Sequence, residues 1–118
     1  MTKDDLWTEN LEFYHELVTK YKWTQEPMIE LILHFKQIGL CQKYFPSNSH
    51  EALGLSTAEA FKERLLVPMV YIKYQSATKS FKIFFQHGQG KTIKEITCQQ
   101  TVDDLTISEI ENWLTNVD

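Results

Sequence analysis

The chain has 118 residues, of which 42% are apolar, 24% charged and 13% aromatic, with a formal net charge of −4. That balance excludes a disordered chain and leaves enough apolar surface for a core without a metal or disulfide. Net acidity counts against a general nucleic-acid binder, because duplex DNA repels the whole molecule at long range, and no apolar run approaches the ~20 residues of a membrane span.

The chain reads as one domain, residues 1–118, with a helical part (1–66), a β-meander (67–101) and a C-terminal helix (102–118). Its charge divides along the same lines. Residues 1–66 carry 7 basic and 10 acidic side chains. Residues 67–101 carry Lys73, Lys79, Lys82, Lys91 and Lys94 against Glu95 alone. Residues 102–118 carry five acids and no base. A basic β-element therefore sits between acidic helices.

The opening Met1-Thr2-Lys3-Asp4-Asp5 lacks the basic start and apolar middle of a secretory signal. A cytoplasmic location with reduced cysteines follows as the expectation. Helix 1 is expected over residues 3–21, with Thr2 and Asp5 at its cap. Trp7, Leu11, Tyr14, Val18 and Tyr21 recur at four, three, four and three, which places them on one face.

Helix 2 is expected over 25–38, with Thr24 as N-cap, Pro27 in the first turn and Gly39 as the left-handed stop. Trp23 and Met28 stand at the positions of a hydrophobic staple. Met28, Ile29, Leu31, Ile32, Leu33, Phe35 and Ile38 cover most of its surface, so it reads as a central helix.

Residues 40–55 read as a connection around Pro46-Ser47-Asn48-Ser49, with room for a helical turn from His50. Ser56-Thr57-Ala58-Glu59 has the form of a capping box for a third helix, which carries Phe61 and Leu65 inward and stops before Pro68.

Beyond Pro68 the period changes to two. Val70, Ile72 and Tyr74 alternate with Met69, Tyr71 and Lys73, and Phe81, Ile83 and Phe85 with Lys82 and Phe84. Ser76–Lys79 and His87–Gly90 supply turns, and residues 91–100 form a third strand. Ile93 and Ile96 are out of step there, which predicts a bulge or an unfixed register. Thr106 and Glu109 make a capping box for the last helix, with Leu105 and Ile110 as its staple and Trp113, Leu114 and Val117 extending its stripe. The fold class is thus α+β: three N-terminal helices, a three-stranded antiparallel β-meander and a C-terminal helix.

No catalytic or cofactor motif survives a search. His15, His34, Cys41, His50, His87 and Cys98 are scattered, without the short ligand pair that zinc sites use. Cys41 follows a helix C-terminus, which disfavours a thiolate, and Cys98 lies in a strand. Gly88-Gln89-Gly90-Lys91-Thr92 lacks the spacing of a phosphate loop, and a strand follows it where such a loop needs a helix. No catalytic residue, cofactor or metal is assigned.

The sheet carries the sharper signal. With Val70, Ile72, Tyr74, Phe81, Ile83 and Phe85 against the helices, Met69, Tyr71, Lys73, Lys82 and Phe84 share the opposite face. Aromatics ringed by lysines describe a partner-binding surface. Two plainer readings compete: the C-terminal helix covers that face, or the lysines guard edge strands.

These features point to a small acidic protein-binding module that is not an enzyme. One instance is a bacterial immunity or inhibitor protein that neutralises a basic toxin or nuclease by masking it. The chain is expected to act as a monomer or weak dimer, away from membranes. The alternative is a winged-helix-like DNA-binding regulator, with helix 3 in the major groove and Lys62, Arg64, Lys79 and Lys82 on phosphates. A single arginine in the whole chain weakens that alternative, since arginine is the commonest major-groove reader.

Overall fold

A helix begins wherever an orphan backbone N–H finds an acceptor, and Thr2 supplies the first. A computed structural model describes residues 2–59, 61–64, 66–87 and 91–115, with only the backbone of Phe61. In it Thr2 Oγ1 accepts the Asp5 N–H and Asp5 Oδ2 accepts the Thr2 N–H, both at 3.1 Å. This capping box opens α1 (Lys3–Thr19). Its buried stripe is Trp7, Asn10, Tyr14 and Leu17, spaced three, four and three. Tyr21, expected on that stripe, lies past the helix and is exposed.

Helix α2 (Glu26–Gln37) starts from Gln25, which makes no side-chain cap bond. Trp23 and Leu33 are 49% and 48% exposed, so the expected staple does not form and the helix is not central. Only Met28, Leu31, Ile32 and Phe35 are buried, one face of an ordinary amphipathic helix. Gly39 takes φ +86 and passes the chain into the single turn α3 (Leu40–Lys43).

Residues 40–55 are not a connection. They hold α3 and a hairpin of β1 (Phe45–Ser49) and β2 (Ala52–Ser56), paired from Phe45↔Ser56 to Ser49↔Ala52. The turn is the residue pair His50-Glu51, with His50 at φ 57. Histidine is among the residues that tolerate this left-handed region. Pro46 is allowed because β1 is an edge strand, where a missing N–H costs the ladder little.

The sheet therefore has five strands where three were expected. It runs β1-β2-β3-β4-β5, all antiparallel, with β3 (Met69–Gln75), β4 (Ser80–Gln86) and β5 (Thr92–Gln99). Among the described residues, the third N-terminal helix is α4 (Phe61–Arg64). Ser56 ends β2, and its hydroxyl bonds the Ala58 carbonyl and N–H, making a tight local turn where a helix cap was expected. Leu65, expected inward, lies outside the described residues, as does the side chain of Phe61.

The β3–β4 turn falls at Ser76–Lys79 as expected, closed by Lys79 N–H to Ser76 O at 3.3 Å. The β4–β5 register slips beside Gln86, which faces Thr92 while Phe85 faces Lys94. Ile93 is the extra residue and is 57% exposed, so the expected bulge is there. Gly88, Gln89 and Gly90 lie outside the described residues.

Helix α5 (Asp104–Thr115) begins before Thr106. Asp103 is the cap: its Oδ1 accepts the Thr106 N–H at 2.8 Å, and its carbonyl accepts the Ile107 N–H. Val102 and Ile107, both buried, occupy the staple positions, while Leu105 is 81% exposed. Val117 lies outside the described residues.

The core forms between helices and sheet. Trp7, Tyr14, Ile32, Phe35, Ile110 and Leu114 pack with Leu53, Leu55, Val70, Ile72, Ile83 and Phe85 in one cluster. Trp7 Nε1–H donates to Tyr44 O at 3.0 Å and Tyr14 O–H to Glu51 O at 2.7 Å, which ties α1 to both ends of the β1–β2 hairpin. Trp113 Nε1–H donates to Gln86 O, and its ring meets Phe85 edge-on, which fixes α5 on this same side of the sheet. Among the described residues no helix is long and apolar enough to cross a membrane.

Candidate functional site

Because successive strand residues point to opposite faces, burying Val70, Ile72, Ile83 and Phe85 against the helices sends Met69, Tyr71, Lys73, Lys82 and Phe84 to the other face. The ladder then sets them beside one another: Tyr71 faces Phe84 and Lys73 faces Lys82. Both plainer readings of this face meet an obstacle. The C-terminal helix packs with the inner set, and the two lysines stand on β3 and β4, which are interior strands.

Tyr71, Lys73, Lys82 and Phe84 are all half-buried, so each keeps open surface. Met69 differs, at 7% exposure. It opens β3 after the buried Pro68, opposite the buried Ser56, and offers little to a partner. A depression of about 610 Å³ opens over Tyr71, Lys73 and Phe84, walled by the His50-Glu51 turn and by Gln86 and Thr92. Sequence reasoning missed the β1–β2 wall, because it read that hairpin as a loop.

The floor of the face is shaped by Gly54, which pairs with Tyr71. A Cβ on Gly54 would stand 2.8 Å from Tyr71 Cε1 and 2.3 Å from Ser47 Oγ. The tyrosine ring thus lies down over the glycine, a known way for a sheet to cover a glycine with a cross-strand aromatic. Ser47 Oγ is buried there without a hydrogen-bond partner.

The electrostatics are asymmetric. Lys82 Nζ lies 3.5 Å from Glu95 Oε1, across the β4–β5 pair. Lys73 has no ion pair among the described residues, although Glu51 stands on the same rim. Two lysines directly opposite one another repel, and one carboxylate neutralises only one of them.

A second concavity of about 460 Å³ lies between α2 and the loop before α5. Leu31, Phe81 and Val102 line it, together with Glu30, Asp103 and Asp104. Asp103 is held below the ordinary carboxylate range by its bonds to the Thr106 side chain and N–H. That carboxylate is already engaged as the helix cap.

Among the described residues no group of three or more His, Cys, Asp or Glu side chains is placed to hold a metal. Cys41 and Cys98 are free and buried. Burial pushes the Cys41 thiol up to about 12, with Lys36 pulling it down and Asp4 adding to the rise. The cause is burial within α3 and not the helix end expected from the sequence. Cys98 Sγ instead meets Thr106 Oγ1 at 3.4 Å. Among the described residues, the recognition helix of the winged-helix alternative corresponds to α4, which carries Lys62 and Arg64, while Lys79 sits in the β3–β4 turn.

No protein-family model, curated protein or solved structure matches this chain.

Proposed function

We propose that this chain is a non-enzymatic protein-binding module that docks its partner on the outer face of the sheet. One observation carries the reading: Tyr71 and Phe84 face each other across β3 and β4, each only partly buried, and both line a depression. Rigid aromatic side chains in a partly walled hollow, with charged groups at the rim, have the composition of an interface centre. The rigid ladder beneath them holds both rings in place, so little ordering entropy is lost on binding.

We take the partner to be a net-positive protein, such as a toxin or nuclease, with this chain as its immunity or inhibitor protein. The support is charge. The chain carries a net −4, and Asp4, Asp5, Glu9, Glu12 and Glu16 crowd α1. Such a field raises the association rate with a basic target and falls off with salt.

The test is capture from the source organism with the wild-type chain and with Tyr71→Ala/Phe84→Ala as baits. A stoichiometric protein held by the wild type and lost by the double variant, with both baits folded, supports the face. Equal retention by both baits overturns it. A captured partner of acidic isoelectric point would remove the toxin-or-nuclease part while leaving the face in place.

A further inference from the structure

We infer that the partner seats a carboxylate on Lys73, from an apolar loop that covers Tyr71 and Phe84. This rests on the docking face proposed above and names what must meet it. Lys73 stands directly across the ladder from Lys82, and both are half-buried on the outer face. Like charges so placed repel, and the strand pairing holds their backbones opposite one another. Glu95 lies 3.5 Å from Lys82 and relieves that half of the pair. Lys73 is left as a cation without an ion-pair partner among the described residues.

Lys73 also lines the depression with Tyr71 and Phe84, so whatever fills the hollow meets its ammonium. A purely apolar loop would desolvate that ammonium without compensation, and neutral acceptors would leave its charge unpaired. A basic loop would add a third positive charge to two. A carboxylate instead completes a two-lysine, two-carboxylate set, and its apolar neighbours cover the rings. Glu51, on the rim, makes no ion pair among the described residues and leaves the position open. The inference is compatible with a net-positive target: long-range steering follows net charge, while local register follows individual pairs.

The experiment pans a displayed library of random short peptides on the wild-type chain, on Tyr71→Ala/Phe84→Ala, on Lys73→Glu and on Lys82→Gln. Expected are peptides that pair Asp or Glu with an aromatic or large aliphatic residue. Their affinity should fall roughly tenfold on Lys73→Glu and much less on Lys82→Gln, because Glu95 already holds Lys82. Lys73→Glu should melt no lower than the wild type, since it places an acid opposite Lys82. Peptides that need Tyr71 and Phe84 but show no acidic preference, or bind Lys73→Glu equally well, overturn the carboxylate while leaving the face intact. Failure to recover any peptide dependent on Tyr71 and Phe84 overturns both readings. Self-association of the wild type abolished by Lys73→Glu would make a second copy the occupant, which also overturns the inference.

Discussion

The ring of Tyr71 occupies the space that a side chain on Gly54 would fill, 2.8 Å from the missing Cβ. The glycine is there because the tyrosine lies flat across β2, and the flat tyrosine forms the floor of the proposed docking face. Gly54→Val should therefore force the ring off its seat and destabilise the fold by about 2 kcal/mol, within the usual range for overpacking. The control is the double change Gly54→Val/Tyr71→Ala. If the ring is the obstacle, the two costs are strongly non-additive in denaturant titrations. Additive costs would place the clash elsewhere, with Ser47 Oγ the nearest alternative at 2.3 Å.

The face should be separable from the core. Ile83 is fully buried between sheet and helices, whereas Phe84, one residue on, is only partly buried. Ile83→Ala removes buried methylenes and should cost about 2–5 kcal/mol. Tyr71→Ala/Phe84→Ala loses a cross-strand pair worth roughly 0.2–1 kcal/mol plus the buried part of two rings, roughly 1–2 kcal/mol each, so about 2–5 kcal/mol shared between two residues. Urea melts of the two variants give the comparison directly. A loss per residue in the double variant as large as that of Ile83→Ala would make those rings core residues.

The alternation that defines this face was legible because β3 and β4 are buried on one side only, which imprints period two on Val70-Tyr71-Ile72 and Lys82-Ile83-Phe84. The β1–β2 hairpin was not. Phe45-Pro46-Ser47-Asn48-Ser49 is an edge strand with little apolar content, and its turn uses His50 where the usual signal is glycine. The strand is specified by tertiary contacts: Trp7 to Tyr44 and Tyr14 to Glu51. Ser56-Thr57-Ala58-Glu59 misled for a related reason, since a serine that can cap a helix can equally close a turn. Helix α2 misled because apolar Leu33 and Ile38 sit on its open side, and exposed apolar residues are common.

The start of α5 gives a test by pH. Two carboxylates cap helices here, Asp5 on α1 and Asp103 on α5, and both are held below the ordinary value of 3.8 by hydrogen bonds to Thr2 and Thr106. A depressed folded pKa gives stability that is present above the unfolded value and is lost as pH falls through the folded one. Asp103→Ala should lower the melting temperature at neutral pH. The gap to wild type should close as the pH drops below the ordinary carboxylate range. Thr106→Ser, which keeps the backbone donor, should leave that acid limb in place. A gap that persists unchanged at low pH would show that Asp103 acts through packing and not through its charge.

Cys41 makes the opposite prediction at the alkaline end. Burial raises its thiol from an ordinary 9.0 to about 12. The folded state then keeps the proton while the unfolded chain releases it. Stability is complete below pH 9.0 and declines as pH rises toward about 12, by up to ~1.4 kcal/mol per pH unit for one such group. Tyr14 and Tyr44, also raised by burial, act in the same direction from a higher starting value of 10.0. Cys41→Ala should therefore flatten the pH dependence of unfolding between about 9 and 10, where the tyrosines contribute least. It should cost stability at neutral pH through the lost sulfur. In the wild type, iodoacetamide at mild alkaline pH should label Cys41 only as fast as the chain opens around α3, because a buried thiol is a poor nucleophile. Rapid labelling of the folded protein, or an alkaline slope unchanged in Cys41→Ala, would mean that the sulfur reaches solvent.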